Sequence, residues 1–246
     1  REDMSTRVRS AAAVLFAASA LLLAGCASGS PAPDASENGT SPTGPVETVP
    51  AQQAEAVWLD GGRLIGVVTW GSSSCVPQAG EVAASGQKIT VSLSDPAADS
   101  DGEQRPCTAD LAPRATAFGV PEGVDPRQDV DIELSYAGET TSLELDGEDE
   151  LTGAPGSSTD YAPSAAWFGD DTGIVLLTWG SSTCTPQVDA VEESDTAITV
   201  SFTPNEGVCT MDMVPRLTML SVTGHDDDRV LTLVGDNLDG TVRILG

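Results

Sequence analysis

One nine-residue segment occurs twice in this chain, and no other feature constrains the fold as much. The segment WGSSSCVPQ at 70–78 returns as WGSSTCTPQ at 179–187, with seven of the nine positions identical and an offset of 109. A self-match of this length is typical of an internal duplication, in which one structural unit is used twice. Two further patterns recur downstream of each copy: Ile-Thr-Val-Ser at 89–92 and 198–201, and C-T-x-D-x-x-P-R-x-T at 107–116 and 209–218.

The duplication predicts two related units of similar length. We place the first at 56–150 and the second at 165–246, each the size of a small domain. Between them, residues 151–164 are rich in Gly, Ser, Thr and Pro, which is the composition of a linker. In an alternative arrangement, the two copies pair into one sheet system with pseudo-twofold symmetry.

The hydrophobic pattern of each unit is that of short β-strands. Residues 64–70 are almost entirely apolar, as expected of a strand covered on both faces, whereas 88–94 and 130–136 alternate like half-buried strands. The sequence therefore predicts an all-β fold, with two tandem small antiparallel β-sandwich or barrel modules. Further strands are expected at 114–118, 141–145, 174–179, 198–202, 216–220, 230–234 and 241–245.

The N-terminal residues have the features of a secretory signal peptide. Arg7 and Arg9 precede an apolar run at 11–23, which is too short to span a bilayer comfortably. The sequence L-A-G-C at 23–26 resembles the lipobox of bacterial lipoproteins, and the repeated pattern downstream is similar to what we expect of actinobacterial lipoproteins. The resemblance implies transfer of diacylglycerol to Cys26, cleavage before it, and anchoring in membrane lipid at the extracytoplasmic face. The alternative is an ordinary signal peptide that contains a cysteine.

Residues 27–55 are expected to form a flexible tether between this anchor and the first module. They consist of Ser, Pro, Thr, Gly, Ala and Glu with almost no large apolar residue, so they cannot bury enough surface to order themselves. A flexible chain of this length has a root-mean-square span of roughly 30 Å. The modules would therefore be held near the membrane but away from its surface.

The charge balance excludes nucleic acid as a partner. The chain has 11 basic and 38 acidic residues. Removing the N-terminal segment leaves 11 − 3 = 8 basic and 38 − 2 = 36 acidic residues, a balance of −28. Such a surface repels phosphate backbones.

The cysteines predict one disulfide in each module. With Cys26 assigned to lipid, four cysteines remain, and four cysteines allow three pairings. The duplication favours Cys75 with Cys107 and Cys184 with Cys209, because other pairings would make the copies inequivalent. An exported compartment permits such bonds. A zinc site is excluded because the chain has no C-x-x-C and a single histidine.

The repeated WGSS loop has a structural and a functional interpretation. In the structural one, the tryptophan covers the core edge, the serines satisfy the turn backbone and the cysteine ties the loop to a later strand. In the functional one, the loop binds a ligand through an exposed indole, which stacks on a sugar ring, and through hydrogen-bonding side chains. The candidate binding residues are Trp70, Ser72, Ser73 and Gln78, with their counterparts Trp179, Ser181, Ser182 and Gln187.

A matched acid–base pair accompanies each disulfide: Asp110 with Arg114, and Asp212 with Arg216. We expect each pair to form a salt bridge or a backbone clamp beside the bridge. Anion binding by the arginines is the alternative.

The chain has few of the residue patterns that catalysis or metal binding requires. His225 lies in a polar stretch without a G-x-S-x-G nucleophile elbow, so a serine-hydrolase triad is not expected. Acidic loops at 95–103, 146–150 and 236–239 have the oxygen ligands that calcium prefers, but none has the EF-hand spacing. We interpret them as solvated surface, and we predict no metal and no cofactor.

These features together predict a membrane-anchored lipoprotein that acts as a binding or structural module at the cell envelope and not as an enzyme. Its expected partner, besides membrane lipid, is a cell-wall glycan or an envelope protein. The alternatives are a cell-envelope hydrolase that uses two carboxylates, or a calcium-dependent adhesion module.

Overall fold

The structure, a computed structural model, describes residues 54–96, 106–169, 172–224 and 228–246. The signal segment, Cys26, nearly all of the tether and His225 lie outside these ranges. Every described element is a β-strand except one short 3-10 turn at Asp60–Gly62. The predicted all-β fold is therefore confirmed. None of the described residues forms a helix with the length and hydropathy needed to cross a bilayer.

Each repeat region contributes seven strands. Those of the first are β1 (Glu55–Leu59), β2 (Leu64–Gly71), β3 (Gln78–Ser85), β4 (Lys88–Ser94), β5 (Ala112–Gly119), β6 (Val130–Tyr136) and β7 (Glu139–Leu145). Those of the second are β8 (Ser164–Phe168), β9 (Gly173–Gly180), β10 (Gln187–Glu193), β11 (Ala197–Thr203), β12 (Val214–Ser221), β13 (Val230–Val234) and β14 (Gly240–Leu245). The first strand begins at Glu55, one residue before the predicted module boundary.

The strands of each repeat region form a three-stranded inner set and a four-stranded outer set. In the first, the orders are β1-β2-β5 and β3-β4-β6-β7. In the second, the equivalent sets β8-β9-β12 and β10-β11-β13-β14 join into one seven-stranded sheet, because β14 pairs with β8. The order of pairing within each set is the same in both.

The predicted antiparallel arrangement is wrong at three pairs of strands. The pairs β4–β6 and β11–β13 are parallel, and so is β14–β8. In each repeat region the chain leaves the outer sheet after β4 or β11, forms a strand of the inner sheet, and returns to pair with the strand that it left. Because the connection passes through the other sheet, the two outer strands run in the same direction.

Three apolar cores hold these layers together. One lies between the two sheets of the first repeat region and another between the two strand sets of the second. The third joins the two inner sets to each other, and its buried members come from β1, β2, β5, β8 and β9. On β2, Ile65 and Val67 face the first core while Val68 faces the third, so this strand is covered on both faces as predicted. The two repeat regions are therefore stacked through an inter-repeat core.

The linker is fastened to the turn that joins β1 and β2. The amide of Gly153 donates to the carbonyl of Gly61 over 2.8 Å. Arg63 donates to Ser157 and also pairs with Asp160 at 3.2 Å. These contacts hold the connecting segment along the first repeat region and thereby fix where β8 begins.

Candidate functional site

Each disulfide ties the loop after an inner strand to the segment that precedes the next inner strand. Cys75 is bonded to Cys107 with 5.6 Å between their Cα atoms, and Cys184 is bonded to Cys209 with 5.5 Å. Both predicted pairings are confirmed. The WGSS loops therefore lie beside the C-T-x-D segments, and the two repeated patterns of the sequence form one structural unit in each repeat region.

A buried arginine clamps the loop of the first repeat region. Arg114 is 7% exposed, and its Nη1 donates to the carbonyls of Cys75 and Ser72. Its Nη2 donates to the hydroxyl of Tyr136 over 2.8 Å. A Cβ atom at Gly71 would lie 2.6 Å from this guanidinium. The glycine after the tryptophan is therefore needed because the arginine packs against it.

The second repeat region has the same clamp with fewer partners. Arg216 donates to the carbonyls of Cys184 and Trp179, over 2.7 and 2.9 Å. A Cβ atom at Gly180 would again collide with the guanidinium, at 2.7 Å. Arg216 is half-buried, and this burial lowers its pKa against the opposing effect of the Asp236 carboxylate. The ladder between the outer strands places Gly235 where the first repeat region has Tyr136.

The two aspartates bond to the backbone of the loops and not to the arginines. The carboxylate of Asp110 accepts a hydrogen bond from the amide of Ser73 over 3.2 Å and another from the hydroxyl of Thr108. These bonds, that of Thr108 most of all, lower the pKa of Asp110 to about 2. No ion pair joins Asp110 to Arg114 within the described ranges, so of the two predicted contacts the backbone clamp is confirmed. In the second repeat region Asp212, with a pKa of about 2, makes the equivalent bonds to Ser182 and Thr210.

The hydroxyl of the first loop serine bonds to the neighbouring C-T-x-D segment in both repeat regions. Ser72 shares a hydrogen bond of 2.8 Å with Thr108, and Ser181 shares one of 2.7 Å with Thr210. The predicted binding residues that remain exposed are Ser73, Gln78, Ser182 and Gln187. Ser72 and Ser181 therefore help to fix the loop, whereas Ser73 and Ser182 are exposed to solvent.

The two repeated tryptophans do not project from the loops. Trp70 and Trp179 are both half-buried against the inter-repeat core. The ring of Trp70 lies edge-on to Phe168 with 6.3 Å between centroids, and Trp179 lies edge-on to Tyr161 at 5.4 Å. The structure thus brings each indole to the junction between the repeat regions.

A groove of about 590 Å³ opens between the two repeat regions, and sequence reasoning did not predict it. One wall is the loop and strand start at 76–79, and a second is β5 from 113 to 117. The third wall consists of alternate residues of β12: Pro215, Leu217 and Met219. We call this feature the inter-repeat groove. Its volume is within the range of small-ligand sites, and it lies beside the clamped loop of the first repeat region.

The groove lies where the side chains at equivalent positions of the two repeats differ in size. Ala115 and Ala117 of β5 correspond to Leu217 and Met219 of β12, by the constant offset of 102 in the C-T-x-D pattern. Small side chains on one side leave space that the larger ones on the other do not fill. The asymmetry also explains why the groove adjoins the first WGSS loop, through Ser73 and Gln78.

The inter-repeat groove is apolar, with few polar groups at its margin. The guanidinium of Arg114, the cation among its lining residues, is already engaged by backbone carbonyls and Tyr136. The hydroxyl of Thr116 donates to the carbonyl of Pro77 over 2.7 Å. No carboxylate is among the described residues that line the groove. The site is therefore suited to holding hydrocarbon groups and unsuited to binding an anion or to carboxylate chemistry.

Carboxylates of two of the acidic loops accept hydrogen bonds from backbone amides or from a side-chain hydroxyl. Asp236 accepts from the amide of Asn205 over 3.2 Å, and Asp239 accepts from that of Gly235 over 3.1 Å. Asp95 accepts from the hydroxyl of Tyr136, while the rest of that loop falls outside the described residues. In the part of the chain that the structure describes, no three His, Cys, Asp or Glu side chains are grouped so that they could hold a metal ion.

Comparison with protein families, with curated protein sequences and with solved structures found no match to this chain.

Proposed function

We propose that this chain is a lipid-anchored binding module at the extracytoplasmic face of the cell membrane, with the inter-repeat groove as its binding site. The observation that carries the binding role is the groove itself. It is an open apolar recess of about 590 Å³ whose walls come from both repeat regions. Recesses of this size with a few polar groups at the margin are the usual form of binding sites.

The proposed location is supported by two independent features of the sequence and fold. The L-A-G-C sequence at 23–26 resembles a lipobox, and the tether that follows it has the length to hold the folded part off a membrane. The two disulfides suit an exported protein, because disulfides persist in oxidising compartments. Replacing Cys26 by serine should prevent the incorporation of labelled palmitate and release the protein from the membrane fraction.

Binding is favoured over catalysis by the chemistry of the groove. A glycoside hydrolase of the usual kind needs two carboxylates on either side of the scissile bond. The polar residues that line the groove are Ser73, Gln78, Arg114 and Thr116, which do not include such a pair. The clamped loops also favour a rigid binding surface, since preorganisation reduces the entropy that binding costs.

A matched pair of surface variants tests the groove. Gln78 and Gln187 are exposed at the same position of the repeats, but Gln78 lines the groove while Gln187 lies elsewhere. Full-length wild type, Gln78→Trp and Gln187→Trp would be immobilised and incubated with envelope extract. We expect wild type and Gln187→Trp to retain the same components and Gln78→Trp to lose at least one of them. Identical retention by all three proteins would contradict a binding role for the groove.

A further inference from the structure

We propose that the inter-repeat groove binds an extended polypeptide segment that has a small apolar centre and basic flanks. This inference rests on the proposed function, because it names the ligand class of the same groove. Its support comes from the length of the groove walls, the edge position of the two strands that form them, and the distribution of charge.

The walls have the dimensions of a short extended peptide. Pro215 and Met219 are four residues apart on β12, and a strand rises about 3.4 Å per residue, so this wall is about 14 Å long. The opposite wall at 113–117 spans the same number of steps. About four residues in an extended conformation match this length, and alternate side chains of such a peptide would point into the apolar recess.

Among the strands that the structure describes, both strand walls lie at sheet edges. β5 pairs with β2 and ends its three-stranded sheet, and β12 pairs with β9 and ends the seven-stranded one. Edge strands have main-chain groups that can pair with an added strand. Pro113 and Pro215 lack the amide hydrogen, so neither can donate a hydrogen bond to an added strand. An added strand would therefore pair with the residues that follow each proline.

The net charge of the chain favours a basic partner over an anionic one. The chain has 38 acidic and 11 basic residues. The guanidinium of Arg114 donates to the carbonyl of Cys75 and the hydroxyl of Tyr136, so it is not free to bind a carboxylate or phosphate of a ligand. Lysine or arginine on either side of the apolar centre would instead be attracted by the net negative charge of the chain, which raises the association rate at low salt.

A glycan fits the groove less well than a peptide. Sugar rings are commonly bound on the exposed face of an aromatic ring, but Trp70 and Trp179 are half-buried in the inter-repeat core and neither is a lining residue. Nine of the 13 lining residues are valine, proline, alanine, leucine or methionine, which offer no side-chain hydrogen bonds to hydroxyl groups. The lining chemistry therefore favours apolar side chains.

A second matched pair of variants tests the ligand class. Val76 lines the groove and is 39% exposed, while its repeat counterpart Thr185 is exposed and lies outside it. A randomised peptide library of about ten residues would be displayed on phage and selected on the full chain. The affinities of the enriched peptides for wild type, Val76→Lys and Thr185→Lys would then be measured by fluorescence polarisation at low and high salt.

We expect the enriched peptides to share an apolar centre with lysine or arginine flanks. Val76→Lys should weaken their binding by about tenfold or more, because it places a cation in the groove, while Thr185→Lys changes it by less than about twofold. High salt should weaken binding to wild type. Enrichment of acidic or polar peptides, or equal effects of the two lysine variants, would overturn the peptide inference.

The two experiments together separate a groove that binds another class of ligand from a groove that binds nothing. If no peptide is enriched while Gln78→Trp still loses an envelope component, such as a glycan, the groove binds a ligand of another class and the peptide inference is wrong. If Gln78→Trp loses nothing and no peptide is enriched, the groove is not a binding site and both proposals are wrong.

Discussion

Arg114 and Arg216 occupy the same position of the two repeats but differ in burial and in number of partners. Arg114 is 7% exposed and bonds to two carbonyls and the Tyr136 hydroxyl, whereas Arg216 is half-buried and bonds to two carbonyls. Removing a buried hydrogen-bonded charge leaves its partners unsatisfied, and each such group costs about 1–3 kcal/mol. The first clamp should therefore contribute more to stability than the second.

We predict that Arg114→Met lowers the free energy of unfolding by about 3 kcal/mol or more, and that Arg216→Met lowers it by about 1–2 kcal/mol. Urea denaturation at neutral pH, with the slope compared between variants, measures both values. Equal losses, or a larger loss for Arg216→Met, would show that the Tyr136 contact and the deeper burial do not matter.

The two clamp aspartates predict how stability depends on pH. The pKa values of Asp110 and Asp212 are about 2 in the folded protein, below the value of about 3.9 in an unfolded chain. Their contribution to stability is therefore complete above about pH 5 and is lost progressively as the pH falls through 2. The double variant Asp110→Asn, Asp212→Asn should lose less stability than wild type between pH 4 and pH 2.

Asp125, whose pKa is also about 2, and Glu193, whose pKa is lowered, against the effect of burial, by its bonds to Arg229 and Thr223, remain in both proteins and contribute to the residual slope. Parallel unfolding measurements at a series of pH values would test the difference. Superimposable profiles of wild type and double variant would contradict the assignment of the clamp bonds.

Among the single elements, the disulfide-tied loops are those that the repeated sequence patterns predict most completely. The loops that Cys75–Cys107 and Cys184–Cys209 close span 32 and 25 residues. Closing loops of this size contributes about 3–4 kcal/mol each in the chain-entropy model. Replacing both cysteines of one disulfide by serine should lower the free energy of unfolding by about this amount. The midpoint of thermal unfolding would fall accordingly. A loss of less than about 1 kcal/mol would mean that the arginine and aspartate clamps are sufficient to hold the loop.

The sequence pattern predicts some of the strands and misses others. β4 and β11 alternate strictly between buried and less buried residues, so the period of two predicts them. β3 and β10 were not predicted, because most of their side chains are exposed and a register shift interrupts the alternation, between Ala79 and Val82 in one and Val188 and Ala190 in the other. β1 and β8 were not predicted either, because their buried residues are consecutive and do not alternate with exposed ones.

The groove could not have been predicted from the same patterns. Its walls at 76–79, 113–117 and 215–219 are distant in sequence, and they meet because the inner sheets of the two repeat regions stack. The repeated patterns predict that the units are related, but they carry no information on which faces the units bury against each other. The predicted loop residues Ser73 and Gln78 do line the groove, whereas Trp70 belongs to the core beside it.

At the scale of the whole molecule, the inter-repeat core should make the two repeat regions unfold together. Phe168 is 8% exposed, packs in this core and contacts Trp70 of the other repeat region. We predict that Phe168→Ala costs about 3 kcal/mol and lowers the amide-exchange protection of β4 and β11 equally. Loss of protection confined to β11 would show instead that the repeat regions are energetically independent.

The proposed binding of a partner in the groove between the two stacked β units can be tested by site-specific cross-linking. A photoreactive amino acid would be placed at Val76 or at its counterpart Thr185 in the full-length chain, in cells that make the protein. We predict cross-links from position 76 to one protein, at an extended segment with basic flanks that peptide mapping identifies, and none to that segment from position 185. The same products from both positions, or none from position 76, would contradict the claim.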